Sequence, residues 1–533
     1  MRKEISGALN YVWQALLMCG WALQVALLWI YRTPPSLDYA HWLHQANVLA
    51  HYADPGYDFA RWYTLAGVVI ANGGFILPAA LLAKMFPVEV AGKLILTLYC
   101  IALPLSVRYM MRSFGNQSLM WMISVLLLFN VSFVNGNIAF LAGCPLLFFA
   151  IGLLEKKAWS AKDLSILTLL SAGLGIAHAV CAFAFLLYLA LRMRTRRTRQ
   201  AERWWFLLWG GVVVVINGLY IATRPDDDTF FRFGWGMDVR TRISLLTKSF
   251  VAGVTFPPYE FSFLRLIATS LLVLFVAGVF MMSIIAAWRS FKTPTSAFFL
   301  LSTACALFSP KYLLGAGELS QRFILIAFFC GLAVSRPAAE REKRFVWALS
   351  VLCILVIPVR SIEYAESSAM LNARRDFIEK TIPASEPVIT FDDDLGTANV
   401  PFAYLVPKGI SLIFQTDYNL TKGGYDPLSF RTGYILPRNN FFRTIDSLMR
   451  LRKEPGFLAL RGIELPEEIG YVVLDFSSEF GNEMEERLAP IFGPVGRKEI
   501  ARGIYTEILK REKSFATACT AVPAGPAEDR YTR

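Results

Sequence analysis

The polar loop that follows the first apolar run carries the residues best suited to acid–base chemistry. Residues 36–51 hold three of the four histidines of the chain. Plotted at about 100° per residue, the apolar side chains share one side of a helix, while Asp38, His41 and His44 lie on the other. This pattern predicts a helix in the membrane interface. There the Asp38 carboxylate would lie at headgroup level and accept a proton from an acceptor hydroxyl group.

Two other interpretations of this segment stay open. Asp38 would cap the helix at its N-terminus, and the histidines would then be a wetted face. Alternatively, Asp38, His41 and His44 approach one another at i, i+3 spacing, and imidazole with carboxylate suits zinc or manganese. The chain has no HExxH motif, so a divalent metal cofactor is an open prediction. We also predict that His41 contributes to substrate binding.

A polar bend, Asn135-Gly136-Asn137, opens an apolar helix further along the chain. Amide side chains and the free N–H groups of a helix N-terminus bind phosphate or sugar groups. We therefore predict that Asn137 contributes to a substrate site. The alternative is that the asparagines cap the helix and that the glycines allow close helix packing.

Three further charged or titratable residues are candidates for the same site. His178 lies inside an apolar segment, where ionisable residues usually face a cavity or the protein interior. Arg322 would begin a later helix, with Lys311 shortly before it, and a guanidinium can hold a phosphate with two hydrogen bonds. The alternatives are a histidine hydrogen-bonded between helices, and an arginine that snorkels or pairs with Glu318.

Long apolar stretches position these residues. The chain has 533 residues, 55% of them hydrophobic, and a spanning helix needs roughly 20 mainly apolar residues. The apolar runs are residues 9–31, 88–107, 118–134, 138–154, 164–191, 204–221, 264–287, 297–308, 323–334 and 345–359. We expect a polytopic α-helical membrane protein with about eleven crossings.

Two apolar segments allow alternative paths. Residues 62–86 are interrupted by Asn72-Gly73-Gly74 and either cross once or re-enter as a hairpin packed in protein. Residues 164–191 form either one long span or two short helices that meet near His178. The second option in both places puts more basic residues on the cytoplasmic side, so we prefer it.

Basic residues set the expected orientation. Cytoplasmic loops retain Lys and Arg, and residues 192–203 hold six arginines. The N-terminus is therefore predicted to be cytoplasmic, and everything after Arg360 is predicted to lie outside with the first loop. The net charge of +12 lies in short loops beside apolar spans, which favours anionic membrane lipids as partners and excludes nucleic acid.

The chain divides into three predicted parts. Residues 1–360 form the transmembrane domain, and residues 361–516 form a small soluble α/β domain on the outer, periplasmic side. Within that domain the pattern predicts helices over 364–380 and 479–488 and strands near 388–391 and 470–476. Residues 517–533, rich in Ala, Pro and Thr, are predicted to be disordered.

This layout resembles the GT-C superfamily of polytopic membrane glycosyltransferases, as in uncharacterised bacterial GT-C-like membrane proteins. The resemblance implies an acidic base or metal ligand in the first outside loop, where Asp38 lies. The run 135–154 and the paired segments around His178 look like the third to sixth core helices. Residues 309–323 look like a later outside loop that supplies Arg322 for a donor phosphate. The paired carboxylate common in the superfamily is absent beside Asp38, unless the loop folds back to supply Asp54 or Asp58.

The resemblance implies a glycosyltransferase of the hexosyltransferase type. It would move a sugar from a polyprenyl-phosphate donor to a lipid, glycan or protein at the outer face of the cytoplasmic membrane. Asp38 would be the base, Arg322 with Lys311 would hold the phosphate, and His178 and Asn137 would line the cavity.

Two other functions are weighed against this one. A polymerase or ligase of lipid-linked polysaccharides would use several arginines of an outside loop such as 223–262. A non-enzymatic transporter or flippase would show charges deep in several spans and repeat symmetry, and neither is apparent.

Overall fold

The computed structural model describes residues 2–32, 34, 36, 39–57, 59–65, 73–134, 136–156, 158–195, 200–223, 263–310, 312–313, 316–317, 319–335, 339–383, 388–392, 435–437, 470–477, 492–501 and 504–511. In chain order the helices are α1 (Arg2–Ile30), α2 (Tyr39–His51), α3 (Phe59–Trp62), α4 (Ile76–Ala83), α5 (Val88–Ser113), α6 (Ile123–Leu126), α7 (Val131–Val134), α8 (Ile138–Leu154), α9 (Ala161–Ala177), α10 (Ala179–Thr195), α11 (Gln200–Thr223), α12 (Phe263–Arg289), α13 (Pro294–Phe308), α14 (Leu319–Val334) and α15 (Ala339–Thr381). A 3-10 turn, Leu119–Met122, precedes α6.

The protein is a multi-pass membrane protein. Five described segments are long and apolar enough to cross a bilayer by length and composition: Val12–Ile30, Val88–Ser113, Glu202–Ala222, Ile267–Arg289 and Glu342–Glu366. Shorter apolar helices, α8, α13 and α14 among them, pack between these. The number of about eleven crossings and the orientation in the membrane stay predictions.

The break predicted near His178 is confirmed. Helix α9 ends at Ala177 and α10 begins at Ala179. His178 between them is extended, with φ −167° and ψ 132°. Two helices therefore meet at this residue, and its side chain lies where the chain turns.

The apolar run at residues 118–134 does not form one continuous helix, because the chain is unwound between α6 and α7. Asn130 competes with the helix: its amide donates to the Leu127 carbonyl at 2.8 Å, and its side-chain oxygen accepts from the Ser132 N–H at 2.8 Å. The hydroxyl of Tyr99 donates to the Leu128 carbonyl at 3.1 Å. Broken backbone at membrane depth is tolerated where protein surrounds it, and this segment is buried.

The described part of residues 62–86 contains no helix long enough to cross. It holds the end of α3, the strand β1 (Tyr63–Leu65) and α4. Helix α4 has eight residues and is therefore only about 12 Å long. Its preceding turn lies against the C-terminal end of α9, where Gly73 N–H donates to the Ile176 carbonyl at 2.8 Å.

A small β-sheet follows the last membrane helix. Its strands are β4 (Val388–Asp392), β6 (Tyr471–Ser477), β7 (Phe492–Ala501) and β8 (Ile504–Arg511), in the order β4-β6-β8-β7. Strands β4 and β6 are parallel and the other pairs antiparallel. The two predicted strand regions are thus confirmed.

The sheet packs on the C-terminal end of α15, through a cluster of Ile378, Ile382, Tyr471 and Ile508. Helix α15 has 43 residues and runs without a break past the predicted domain boundary at 360. The predicted helix 479–488 and the predicted tail 517–533 lie outside the described residues. Two short antiparallel strand pairs lie outside this sheet. Strand β2 (Tyr312–Leu313) pairs with β3 (Ala316–Gly317), and β1 pairs with β5 (Ile435–Pro437).

Candidate functional site

Three of the residues predicted to bind substrate lie in contact with one another. Arg322 Nη2 donates to the Asn137 side-chain oxygen at 2.8 Å, and Arg322 Nη1 lies 3.1 Å from His178 Nε2. The guanidinium also lies over the ring of Phe140, with 5.9 Å between its carbon and the ring centroid. The sequence predicted the three residues separately, and the fold brings them to one point.

The same point is where three helices begin. Asn137 is the N-cap of α8, His178 directly precedes α10, and Arg322 lies in the first turn of α14. Each helix N-terminus carries a partial positive charge and N–H groups without intrahelical partners. The cluster therefore combines a guanidinium with three dipole ends of the same sign, which favours an anionic ligand.

The negative dipole end of one helix, α9, also lies in this region, and its last carbonyl groups are hydrogen-bonded. Helix α9 ends beside His178, and its last carbonyls would place negative partial charge there. Gly73 N–H donates to the Ile176 carbonyl at 2.8 Å, and Gly74 N–H donates to the Ala177 carbonyl at 3.3 Å. A Cβ on Gly74 would lie 2.9 Å from Ala177 Cα, so glycine permits this close approach.

The local structure at Asn137 is set by the glycine before it. Gly136 has φ 76°, a conformation that a side chain disfavours, and it turns the chain from α7 into α8. Asn137 takes the N-cap position, but its side chain makes no capping hydrogen bond. The capping interpretation of this side chain is therefore wrong, because its oxygen accepts from Arg322 instead.

His178 faces hydrogen-bond donors on both ring nitrogens. The Val180 N–H approaches Nδ1 at 3.1 Å, and Arg322 Nη1 approaches Nε2 at 3.1 Å. A neutral imidazole accepts at one nitrogen only, because the other carries a hydrogen. When Nδ1 accepts from Val180 and caps α10, Nε2–H and the guanidinium both point donors into the same space. A phosphate oxygen, with several lone pairs, can accept from both.

Arg322 is buried within the protein. Only 8% of the residue is exposed, and its contacts are with Asn137 and His178 on neighbouring helices. Glu318, the alternative partner, lies outside the described residues. Burying a guanidinium costs free energy unless its N–H groups are hydrogen-bonded, and these contacts reduce that cost.

The loop predicted to be the first outside loop is attached to this cluster by two hydrogen bonds. Ser36 Oγ donates to the Phe133 carbonyl at 2.5 Å, and Trp42 Nε1 donates to the Gly136 carbonyl at 2.8 Å. Asp38 lies outside the described residues, but in sequence it falls between these two anchors. Both anchors hold the bend that leads into Asn137.

The predicted helix of this loop is confirmed as α2, but its wetted face is wrong. His41, His44, Gln45 and Asn47 are at most 1% exposed. One side of α2 packs on α4 and α5. The opposite side is covered within the loop itself, where the rings of His44 and Phe59 meet edge-on at 5.7 Å. The helix is enclosed on both sides rather than lying half in water.

His44 is a neutral histidine that is hydrogen-bonded to Tyr63. The His44 Nε2 and Tyr63 Oη atoms are 2.9 Å apart, and burial lowers the pKa of His44 to about 3. Within the described residues no three His, Cys, Asp or Glu side chains group as metal ligands. The metal set Asp38, His41 and His44 includes one residue outside that part and stays a prediction.

The remaining candidates divide into those described and those not. Lys311, Asn135, Asp58 and the loop 224–262 lie outside the described residues. Asp54 is exposed in the turn after α2, where its side chain accepts from the Gly56 N–H at 2.9 Å. The helix between Tyr39 and His51 is about 18 Å long, so Asp54 lies at the far end of α2 from its first residue.

Sequence reasoning missed Tyr63, Phe140 and Trp42 as parts of this region. Phe140 and Trp42 are apolar residues of predicted helices. Only the structure shows that the Phe140 ring faces the Arg322 guanidinium and that Trp42 donates to the Gly136 carbonyl. Tyr63 had a signal, since it follows an arginine and a tryptophan at the end of the polar loop. Its strand could not be predicted without the partner strand.

The sequence matches no family model and no curated protein. The structure is similar to the crystal structure of ArnT from Cupriavidus metallidurans bound to undecaprenyl phosphate, with a TM-score of 0.52 and 11% sequence identity. The similarity covers 95% of this chain and 98% of the ArnT chain. ArnT is a GT-C glycosyltransferase, so this chain has a GT-C-like fold, and the expected resemblance is confirmed at the level of the fold.

Proposed function

We propose that this protein is a GT-C-type membrane glycosyltransferase that takes its sugar from a polyprenyl-phosphate donor. The observation that carries the proposal is the buried contact of Arg322 with Asn137 and His178 at the start of three helices. The GT-C-like fold supports it, and so does the undecaprenyl phosphate bound to the structurally similar ArnT.

The cluster suits the phosphate of the donor. Arg322 offers two N–H groups of a planar fork, which match two oxygens of one phosphate. His178 Nε2–H adds a donor, and the N-terminal ends of α8 and α10 add positive partial charge around the same point. We expect Lys311 to add a second positive charge. The apolar helices around the cluster leave the polyprenyl chain in the bilayer.

The transfer reaction balances with these groups. The acceptor hydroxyl oxygen forms a bond to the anomeric carbon of the sugar, and the bond from that carbon to the phosphate oxygen breaks. The polyprenyl phosphate leaves with the electron pair, so negative charge grows on the phosphate. Donors that are already oriented stabilise this growing charge more than the charge of the ground state.

Asp38 takes the proton of the acceptor hydroxyl in this proposal. Its neighbours in sequence, Ser36 and Trp42, are both hydrogen-bonded to the bend before Asn137. A carboxylate near the phosphate site can deprotonate the attacking hydroxyl as the bond forms. The acceptor is a lipid, glycan or protein at the outer face of the cytoplasmic membrane.

Mass spectrometry of lipid-linked sugars and envelope glycans tests this function. Cells that lack the gene should accumulate one polyprenyl-phosphate sugar and lose one sugar from an envelope acceptor. Complementation with the wild-type gene should reverse both changes, and an Asp38→Asn variant of equal membrane abundance should not. An unchanged lipid and glycan profile would reject the glycosyltransferase and favour transport or assembly.

A further inference from the structure

A short strand pairing joins the first outside loop to the C-terminal domain. Strand β1 pairs antiparallel with β5, so that Tyr63 lies opposite Pro437 and Leu65 opposite Ile435. The two strands belong to parts of the chain that the sequence assigns to different domains. The pairing makes the C-terminal domain a direct neighbour of the loop that carries α2.

Tyr63 links this pairing to α2. Its side chain is fully buried, and its Oη lies 2.9 Å from His44 Nε2. Its backbone carbonyl accepts a hydrogen bond from Tyr52 Oη at 2.9 Å. The rings of Phe59 and Tyr63 meet edge-on at 6.1 Å. The backbone position set by the strand pairing therefore determines where the His44 ring is held.

Helix α2 connects His44 to the candidate phosphate site. His44 and Trp42 lie on the same helix of 13 residues, and Trp42 Nε1 donates to the Gly136 carbonyl at 2.8 Å. A helix moves largely as one body because its backbone is hydrogen-bonded throughout. A displacement of Tyr63 is thus passed through His44 to the start of α2, which directly follows Asp38 in the sequence.

Ion pairs attach the C-terminal domain to the helices at a second place, apart from the β1–β5 pairing. Arg32, just after α1, pairs with Asp376 at 3.4 Å and with Glu379 at 3.1 Å on α15. Arg375 pairs with Glu379 at 2.8 Å and with Glu89 of α5 at 2.7 Å. These ion pairs hold the C-terminal end of α15 against α1 and α5. The domain is therefore attached at two places, through α15 and through β5.

We propose that the C-terminal domain positions the first outside loop through β5, with Tyr63 as the positioning residue that acts on His44 and α2. The consequence for turnover rests on the proposed function, in which this loop supplies the base. The domain then contributes to the rate of transfer and does not serve only to recognise an acceptor. A pairing of three residues is weak by itself, so a single backbone change should disrupt it.

Two variants of one residue separate backbone pairing from side-chain effects. In the full chain in nanodiscs, Leu436→Pro removes an N–H and restricts φ, which breaks strand pairing, whereas Leu436→Ala leaves the backbone able to pair. We expect Leu436→Pro to lower kcat by about 10-fold or more, since small displacements of reacting groups have effects of that order. Leu436→Ala should keep kcat within about 2-fold, and undecaprenyl phosphate affinity should be unchanged in both.

Tyr63→Phe tests the positioning residue itself. This variant keeps the ring and the strand but removes the hydroxyl that contacts His44. We expect a fall in kcat of about 3- to 10-fold with the KM for the donor unchanged. Equal kcat values for wild type, Tyr63→Phe and Leu436→Pro would overturn the proposal.

Hydrogen–deuterium exchange gives a readout that does not need activity. Amides of residues 63–65 should exchange faster in Leu436→Pro than in wild type or Leu436→Ala, because the strand pairing with β5 protects them. Equal exchange in all three proteins would overturn the proposal. A wild-type protein that transfers no sugar but shows the exchange difference would reject the proposed function while supporting the positioning of the loop.

Discussion

His178 has two roles that a pair of substitutions can separate. His178→Asn keeps a residue type that caps helices well, whereas His178→Phe keeps the ring shape but loses both ring nitrogens. We predict that the Phe variant loses about 1 kcal/mol of stability through the lost cap of α10, while the Asn variant is close to wild type. Both should bind undecaprenyl phosphate about 10-fold more weakly, because each lacks the Nε2 donor.

Thermal unfolding and lipid binding of the purified variants check this prediction. His51→Asn is a matched control, since His51 is partly exposed at the end of α2 and outside the cluster. Wild-type lipid affinity in both His178 variants would show that the ring does not contact the phosphate.

His44 predicts a pH dependence of stability. Its pKa is lowered to about 3 by burial, whereas an unfolded histidine titrates near 6.5. Below pH 6.5 the unfolded chain therefore binds a proton that the folded loop does not, and stability falls by about 1.4 kcal/mol per pH unit until about pH 3. Thermal unfolding at pH 7.5 and 5.5 should show this loss in wild type and a smaller one in His44→Gln. The same pH slope in both proteins would contradict a buried neutral His44.

The sequence identified individual residues better than their contacts. Asn137, His178 and Arg322 are recognisable because each is a polar residue inside or at the start of an apolar run, where a polar group needs a reason to be present. Their mutual contact depends on three helices packing end to end, and no local pattern encodes that. The buried polar face of α2 was missed because periodicity shows two faces but not what covers the second one.

At the scale of elements, the contact of α4 with the end of α9 depends on a glycine. A Cβ on Gly74 would lie 2.9 Å from Ala177 Cα, whereas one on Gly211 of α11 would meet nothing within 4 Å. We predict that Gly74→Ala costs about 1–3 kcal/mol through overpacking and weakens lipid binding by moving His178.

Gly211→Ala is the matched control, because an alanine in an open position of a helix interior is neutral or stabilising by up to about 1 kcal/mol. Unfolding and lipid binding of the two variants should differ in this direction. Equal behaviour of both would show that the Gly74 contact does not position the site.

A helix or strand could be predicted where its own residues show a pattern, and not where it depends on contacts with remote residues. Helix α8 spans the predicted residues 138–154 because its run is apolar and opens at a glycine bend. The segment 118–134 is also uniformly apolar, and the break appears only because Asn130 takes hydrogen bonds from the helix. Strand β1 has no signal of its own, since its partner β5 is remote in sequence.

At the scale of the whole molecule, Arg375 connects the C-terminal part of α15 to helix α5. It is 2% exposed and bonds to the partly buried Glu89 and Glu379, so its removal takes a buried cationic partner from both carboxylates. We predict that Arg375→Ala destabilises the protein by about 3 kcal/mol. Asp376→Asn, at a half-exposed carboxylate, should change stability by less than about 1 kcal/mol. Chemical unfolding in detergent compares the two, and a similar loss in both would contradict a connecting role for Arg375.

The central claim is that the cluster of Asn137, His178 and Arg322 holds the phosphate of a polyprenyl phosphate. The most direct measurement is the binding of undecaprenyl phosphate to the purified protein in nanodiscs, for wild type, Arg322→Gln and the charge-matched control Arg344→Gln. Arg344 is exposed in the second turn of α15. We predict about 100-fold weaker binding for Arg322→Gln, which corresponds to about 2.8 kcal/mol of lost charged hydrogen bonds, and wild-type binding for the control. Equal affinity in all three proteins would contradict the claim.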